Sequence, residues 1–280
     1  MSATMGAPIL LLGASSACGQ ALIQRLAGQG VSVLAVSRQA PSESQSHVIW
    51  VQQDLDVSPV SMEASVLVST GPLIHAIQQL EASPRIGRVI AMSSASTEFK
   101  ARSDDAQEQA LIQRLMAQES ELEARCADRG VTLTLLKPTL IYGGENNRNV
   151  DRIGGLADRL RWLPYCGQGR RHPVHADDLA RLILDCVMTG ERSAGKWLLG
   201  GGETLDYPSM LRRIASARGQ TPRLLRLPLY LMKSALVLAH AMGKLEDVKA
   251  VMLERQRLDL IVDDQAAREQ LAWQPRGFRP

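Results

Sequence analysis

The sequence predicts an α/β fold, a doubly wound parallel sheet with a smaller C-terminal lobe, and three observations carry that prediction. An apolar run of strand length, Ile9-Leu10-Leu11-Leu12, passes through a turn of small residues, Gly13 to Gly19, into a helical pattern beginning Gln20-Ala21-Leu22-Ile23. Further runs rich in Val, Ile and Leu recur with helical stretches between them, and they lack the alternation expected of a half-exposed sheet, as for strands covered on both faces. At 280 residues the chain also exceeds the usual single domain.

Taken in order, the first helix ends at Gly28 to Gly30, and strands are predicted at 31–36, 48–51, 65–69 and 88–92. A long helix spans 104–128, with Leu111, Leu115, Leu122 and Cys126 on one stripe and Gly130 marking its end. A sixth strand covers 131–136, before Pro138. The texture changes after Tyr142. A loop at 143–147 opens an arginine-rich segment, a helix begins at Asp177-Asp178 and closes near Gly190, and another runs from Pro208 to Gly219. The apolar segment 224–242 is interrupted by Arg226, Lys233 and His240 and falls short of the roughly 20 residues a membrane span needs, so it is predicted as a buried helix capped by Gly243. The expected division is a dinucleotide-binding domain over 1–143 and a mixed substrate lobe over 144–280 that returns some elements to the sheet.

Hydrophobic content of 45% and charged content of 22% suit a globular chain, and a formal charge of +3 with pI near 8.8 is too diffuse to argue for nucleic acid. Cys18, Cys126, Cys166 and Cys186 lie far apart without a C-x-x-C pair or a histidine at metal spacing, so neither zinc nor a disulfide framework is expected. No secretory leader is legible before the first strand, and a cytoplasmic location is the expectation.

The turn after the first strand carries the chemistry. A pyrophosphate sits on a helix N-terminus, where unpaired N–H groups and the positive dipole end face it, and small residues let the backbone approach. Gly13 permits the sharp turn and Gly19 the close packing of helix on strand. Ser16 stands where the pattern G-x-x-G-x-x-G has its middle glycine; its hydroxyl, like that of Ser15, could donate to a phosphate. Ala17 and Cys18 complete the loop.

Six stretches in order resemble the extended short-chain dehydrogenase/reductase family, in particular NAD(P)-dependent epimerase/dehydratase-like proteins acting on nucleotide sugars. They are Gly13 to Gly19; Asp54-Leu55; Met92-Ser93-Ser94; Lys137-Pro138-Thr139-Leu140-Ile141-Tyr142-Gly143; Val174-His175-Ala176-Asp177-Asp178-Leu179-Ala180; and Ala272-Trp273-Gln274-Pro275-Arg276. The resemblance implies that Asp54 and Leu55 lie against the adenine, that Ser69, Thr70 and Gly71 line the middle of the cofactor, and that Arg171 contacts a substrate diphosphate. Lys137 stands where the family usually has a structural arginine and is carried as a cofactor-side candidate. His175 matches a structural histidine.

The family's acid-base pair, Tyr-x-x-x-Lys on the helix before the sixth strand, is absent. Those positions fall on Leu111 and Leu115, read as core, and every tyrosine fails the spacing: Tyr142 is followed four residues on by Asn146, Tyr165 by Gly169, Tyr207 by Leu211 and Tyr230 by Ser234. The hydroxyl that would orient the substrate falls on Ala95, leaving Ser94 as the catalytic candidate, with Ser96 beside it. At the end of the second strand Val36-Ser37-Arg38 carries no acid, and a guanidinium there suits a 2′-phosphate, so NADP is expected over NAD. Two readings stay open: an NADP-dependent epimerase or reductase of a nucleotide-sugar-like substrate with an unrecognised proton donor, and a catalytically silent NADP-binding sensor or partner-stabilising protein. Small molecules are the expected partners, without nucleic acid or membrane; a homodimer is left open.

Overall fold

The computed structural model describes residues 8–39, 46–100, 105–144, 148–159, 162–245 and 248–280. Strand β1 (Ile9–Leu12) is buried at all four positions. Helix α1 (Ala17–Gly28) and strands β2 (Val33–Ser37), β3 (Val48–Gln52) and β4 (Val66–Ser69) follow. Then come α2 (Leu73–Ala82), β5 (Arg88–Met92), a short α3 (Ser96–Lys100), α4 (Ala106–Asp128) and β6 (Thr132–Pro138). Beyond them lie β7 (Ile141–Tyr142), α5 (Arg148–Arg159), β8 (Trp162–Tyr165), β9 (Arg170–Arg171), β10 (Val174–His175) and α6 (Ala176–Thr189). The chain closes with β11 (Gly195–Leu199), β12 (Leu205–Asp206), α7 (Tyr207–Ala217), β13 (Arg223–Arg226), α8 (Leu229–Ala241), α9 (Ala250–Glu254) and α10 (Gln265–Gln270).

Seven strands form one parallel sheet in the order β11-β6-β5-β4-β1-β2-β3. The order reverses between β1 and β4, and in such sheets ligands bind outside the carboxyl ends of the strands at the reversal. One apolar cluster joins α1 and α6 to one face through Leu22, Ile23, Leu26, Leu179 and Ile183. The other face is covered by α2 and α4 through Ala76, Ile77, Leu80, Leu122 and Cys126. Because β11 pairs with β6 and α6 packs on α1, the 144–280 half returns to the sheet. Its remaining elements, α5, α7, α8 and α9 with three small two-stranded sheets, make the lobe.

Two expectations are corrected. In α4 the buried positions are Ile112, Glu119, Leu122 and Cys126, and Leu115 packs partly, but Leu111 is 64% exposed. The predicted start of that helix, Asp104, lies outside the described residues; Asp105 caps it by accepting from the Glu108 N–H at 2.9 Å. The segment 224–242 is not a buried helix either. Its first residues pair as β13 with β8, and α8 buries only Met232 and Leu236, four residues apart on one face, leaving Tyr230, Val237, Leu238 and Met242 exposed. Its end is as expected: Gly243 adopts φ +67° and Lys244 N–H closes on the Ala239 carbonyl at 2.9 Å.

Candidate functional site

The turn after β1 leaves no room for larger residues. Gly13 has φ +76°, and a Cβ there would lie 2.8 Å from both the Gly71 nitrogen and the Thr70 hydroxyl; one on Gly19 would lie 2.4 Å from the Gly13 carbonyl oxygen. Ser16 is the N-cap of α1. Its Oγ accepts from Gly19 N–H at 2.9 Å and lies 2.9 Å from the Thr70 hydroxyl, which itself donates to the Gly13 carbonyl at 2.9 Å. With that donor committed, the Ser16 proton goes to Thr70. Ser16 is therefore a cap and latch, whereas the sequence suggested a phosphate donor, and the N–H groups of Ala17 and Cys18 are the ones the cap leaves at the positive end of the helix. The Cys18 thiol points into the core, where burial and the nearby Asp177 push it up to about 12.

An open cleft of about 510 Å³ runs from this turn across the ends of β1, β2 and β4. Gly13, Ser15, Ser16, Ala17, Arg38, Asp54, Leu55 and Gly71, all singled out from sequence, line it, joined by Gln53, Asp56 and His75, which were not. Arg38 is exposed at the end of β2 and forms no ion pair among the described residues. Asp54 and Asp56 shape the opposite wall: the Asp54 carboxylate accepts from Asp56 N–H at 3.1 Å and Asp56 meets His75 at 2.9 Å. Ser69 is fully buried, its hydroxyl without a partner, so it cannot line the cofactor as expected, and the Thr70 hydroxyl is spent inside the turn.

Farther along the same edge, a second cavity of about 450 Å³ opens at the ends of β5 and β6, lined by Ser93, Ser94, Ser96, Phe99, the Pro138 to Ile141 segment, Arg171, Arg255 and Leu260. The Ser94 Oγ accepts from Ser96 N–H at 3.1 Å, so it caps α3 while still facing the cavity. Lys137 does not line the cleft at the ends of β1, β2 and β4. Its ammonium, 8% exposed, donates to Glu98 at 2.7 Å and to buried Glu119 at 3.1 Å, and Glu119 also accepts from the Ser93 hydroxyl. Burial works against the Lys137 charge, but the hydrogen bonds to Glu98 and Glu119 outweigh it and raise its pKa; Lys137 in turn holds the Glu98 carboxyl below its ordinary value. A lysine so paired stays protonated and is no donor in turnover near neutrality.

Arg171 is also corrected. Its two terminal nitrogens donate to the backbone carbonyls of Arg170, Leu258 and Arg255, at 2.9, 2.7 and 2.5 Å, and its plane lies 5.3 Å from the centre of the Tyr207 ring. It pins the segment 255–258 where a substrate diphosphate contact was expected. Neighbouring Arg170 is held by Asp259 at 2.7 Å. The Tyr142 hydroxyl donates to Gly277 at 3.1 Å and accepts from Arg279 N–H at 3.2 Å, tying the 277–279 segment to β7. His175 caps α6 through Nδ1, which accepts from Asp177 N–H at 3.1 Å, and burial lowers its pKa. Sequence reading missed Glu119, although a lone carboxylate within the stripe Ile112, Leu115, Leu122, Cys126 signals a buried charge in need of a cation.

A seven-stranded parallel sheet with a glycine-built turn at its strand reversal and a second cavity beside it is a doubly wound α/β fold. No family model matches the chain. It is 25% identical over 159 residues to a UDP-glucose 4-epimerase of Vibrio cholerae, a match covering 56% of this chain and 46% of the epimerase, so the alignment spans about half of that relative's length. Among solved structures, UDP-glucuronic acid 4-epimerase from Bacillus cereus in complex with NAD superposes with TM-score 0.70 at 13% identity, over 97% of this chain and 92% of that one. A short-chain dehydrogenase/reductase superfamily protein from Agrobacterium tumefaciens with bound NAD gives TM-score 0.69 at 15% identity, over 96% and 93%.

Proposed function

We propose that this protein binds a nicotinamide dinucleotide, NADP in preference to NAD, in the cleft at the ends of β1, β2 and β4. A small polar ligand of the nucleotide-sugar class would occupy the cavity at the ends of β5 and β6, with oxidoreduction slow or absent. The observation that carries the reading is the Gly13–Gly19 cradle: two positions where a Cβ would collide with backbone, at the start of a helix whose Ala17 and Cys18 N–H groups face the approach. Arg38, on the cleft wall, would take the 2′-phosphate. A nicotinamide ring held there supplies or accepts a hydride. The candidate positions for a proton partner do not supply one: Leu111 and Leu115 have no titratable atom, Lys137 is paired with two carboxylates, and the Tyr142 hydroxyl bonds Gly277. General acid-base assistance is worth about 10²- to 10⁴-fold, so turnover without it is expected to be slow.

A second reading, an active enzyme with Ser94 as the proton-handling group, is favoured by the placement of Ser94 and Ser96 along one cavity. Titration calorimetry with NADPH and NADH, followed by turnover assays with keto sugar nucleotides, separates the two. Tight NADPH binding without consumption above background supports the proposal; consumption lost on Ser94→Ala establishes the second reading. Failure of both dinucleotides to bind at millimolar concentration sinks both.

A further inference from the structure

The lobe contains a chamber that neither reading uses. It has a volume of about 220 Å³ and lies between α5, α7, α8 and α9, walled by Ile153, Leu156, Leu211, Ala235, Leu236 and Met252. An engineered apolar cavity of about 150 Å³ stays dry and takes up benzene, so a larger one with this lining favours an apolar occupant over water. The walls are aliphatic and carry methionines, which adapt to a flexible chain better than to a planar ring system. Among the described lining residues, polar groups gather in three, Arg152, Tyr207 and Gln256. Gln256 spends its carbonyl oxygen on the Cys166 N–H at 2.8 Å, and Tyr207 stacks on Arg171, which lines the other cavity. The Arg171–Tyr207 pair thus stands between the two spaces.

We infer that this chamber is a binding site for a single aliphatic chain with a polar or anionic end, the chain among α5, α7, α8 and α9 and its end toward Arg152 and Tyr207. A nucleotide diphosphate fits it poorly, because a dozen of its described lining residues are apolar. The site extends to a route of entry. Ala235, on the chamber wall, is itself exposed, and the outer surface of α8 continues in exposed Val237, Leu238 and Met242. A chain leaving an apolar environment would therefore meet an apolar surface before it enters. The inference stands apart from dinucleotide binding, since no residue of the chamber belongs to the β1–β4 cleft.

The test uses dodecanoate as the probe, with calorimetry and native mass spectrometry on the full chain. The expected result is saturable binding of one molecule per chain, weakened at least about tenfold by Ala235→Trp, which fills the chamber from its rim, and unchanged by Val237→Ser on the outer face of α8. NADPH binding should be the same in all three proteins. Photocrosslinking of the unmodified protein with a diazirine-bearing dodecanoate gives a readout independent of any variant's folding: the label should fall on peptides of α5, α7, α8 or α9. Absence of saturable binding, binding equally strong in Ala235→Trp, label confined to other peptides, or displacement of dodecanoate by UDP-glucose would each overturn the assignment.

Discussion

The carboxyl edge of the sheet has two ends that differ in how their polar groups are spent. At the ends of β1, β2 and β4, small residues hold the backbone open, and the Ala17 and Cys18 N–H groups and the Arg38 guanidinium face a cleft whose carboxylates, Asp54 and Asp56, stand on the opposite wall and form no ion pair with Arg38. At the ends of β5 and β6 the charges are satisfied from within: Lys137 by Glu98 and Glu119, Arg171 by three carbonyls, Arg255 by Glu108. An unspent positive end invites an anion, whereas an internally paired cluster holds structure together. The difference teaches that one sheet edge can hold an open turn at one end and a cluster of internally paired charges at the other.

Breaking the neutralised end should have the largest effect on stability. Lys137→Met leaves buried Glu119 facing Glu98 without a cation, and a lost partner in a buried pair costs about 3–5 kcal/mol; urea denaturation should show it, while a midpoint unchanged from the unmodified protein would mean that the cluster is solvated in solution. At the open end, Gly13→Val forces a β-branched residue to φ +76° and a Cβ to 2.8 Å from Gly71. Strain of about 1–3 kcal/mol at the turn, with the approach blocked, should remove dinucleotide binding in calorimetry while the far-ultraviolet spectrum stays native. Arg38→Asp sharpens the comparison further: NADP should weaken by about 1–3 kcal/mol and NAD much less, and an equal loss for both would remove Arg38 from the 2′-phosphate site. Ser16→Ala should cost about 1 kcal/mol of thermal stability through the lost cap on Gly19, with weaker dinucleotide binding only if the turn itself loosens.

The smallest effect expected is a dependence on pH from two histidines. Burial lowers both His172 and His175 from the ordinary value of 6.5. The folded state then binds these protons less readily than the unfolded chain, so their contribution is present above pH 6.5 and is lost as the pH falls through the depressed folded values. Melting temperatures measured downward from pH 7 should decline across that window, and the His175→Gln variant should decline less steeply. A flat profile would show both rings to be solvated.

Much of the fold was legible because periodicity reports burial directly. Ile9 to Leu12 is apolar at every position since β1 is an interior strand with a helical layer on each face, and the glycines after it mark a turn where backbone meets backbone. The cleft was legible as well, since Arg38, Asp54, Leu55 and Gly71 each follow a strand end and parallel strands bring their ends to one edge. Side chains whose role depends on a distant partner were not. Leu111 reads as core on a helical stripe, yet it is mostly exposed; Leu224 to Met242 reads as buried, yet α8 buries only its face bearing Met232 and Leu236.

The sequence by itself determined the strand and helix alternation, the glycine turn and the lack of a tyrosine-lysine pair, because each is a property of residues close together in the chain. Tertiary structure alone decided that Lys137 faces Glu98 and Glu119, 39 and 18 residues away, that Arg171 holds carbonyls of 255–258, and that Ser16 spends its hydroxyl on Gly19 and Thr70. Whether a polar group is spent or available depends on what the fold brings within about 3 Å of it, and neither spacing nor composition encodes that distance.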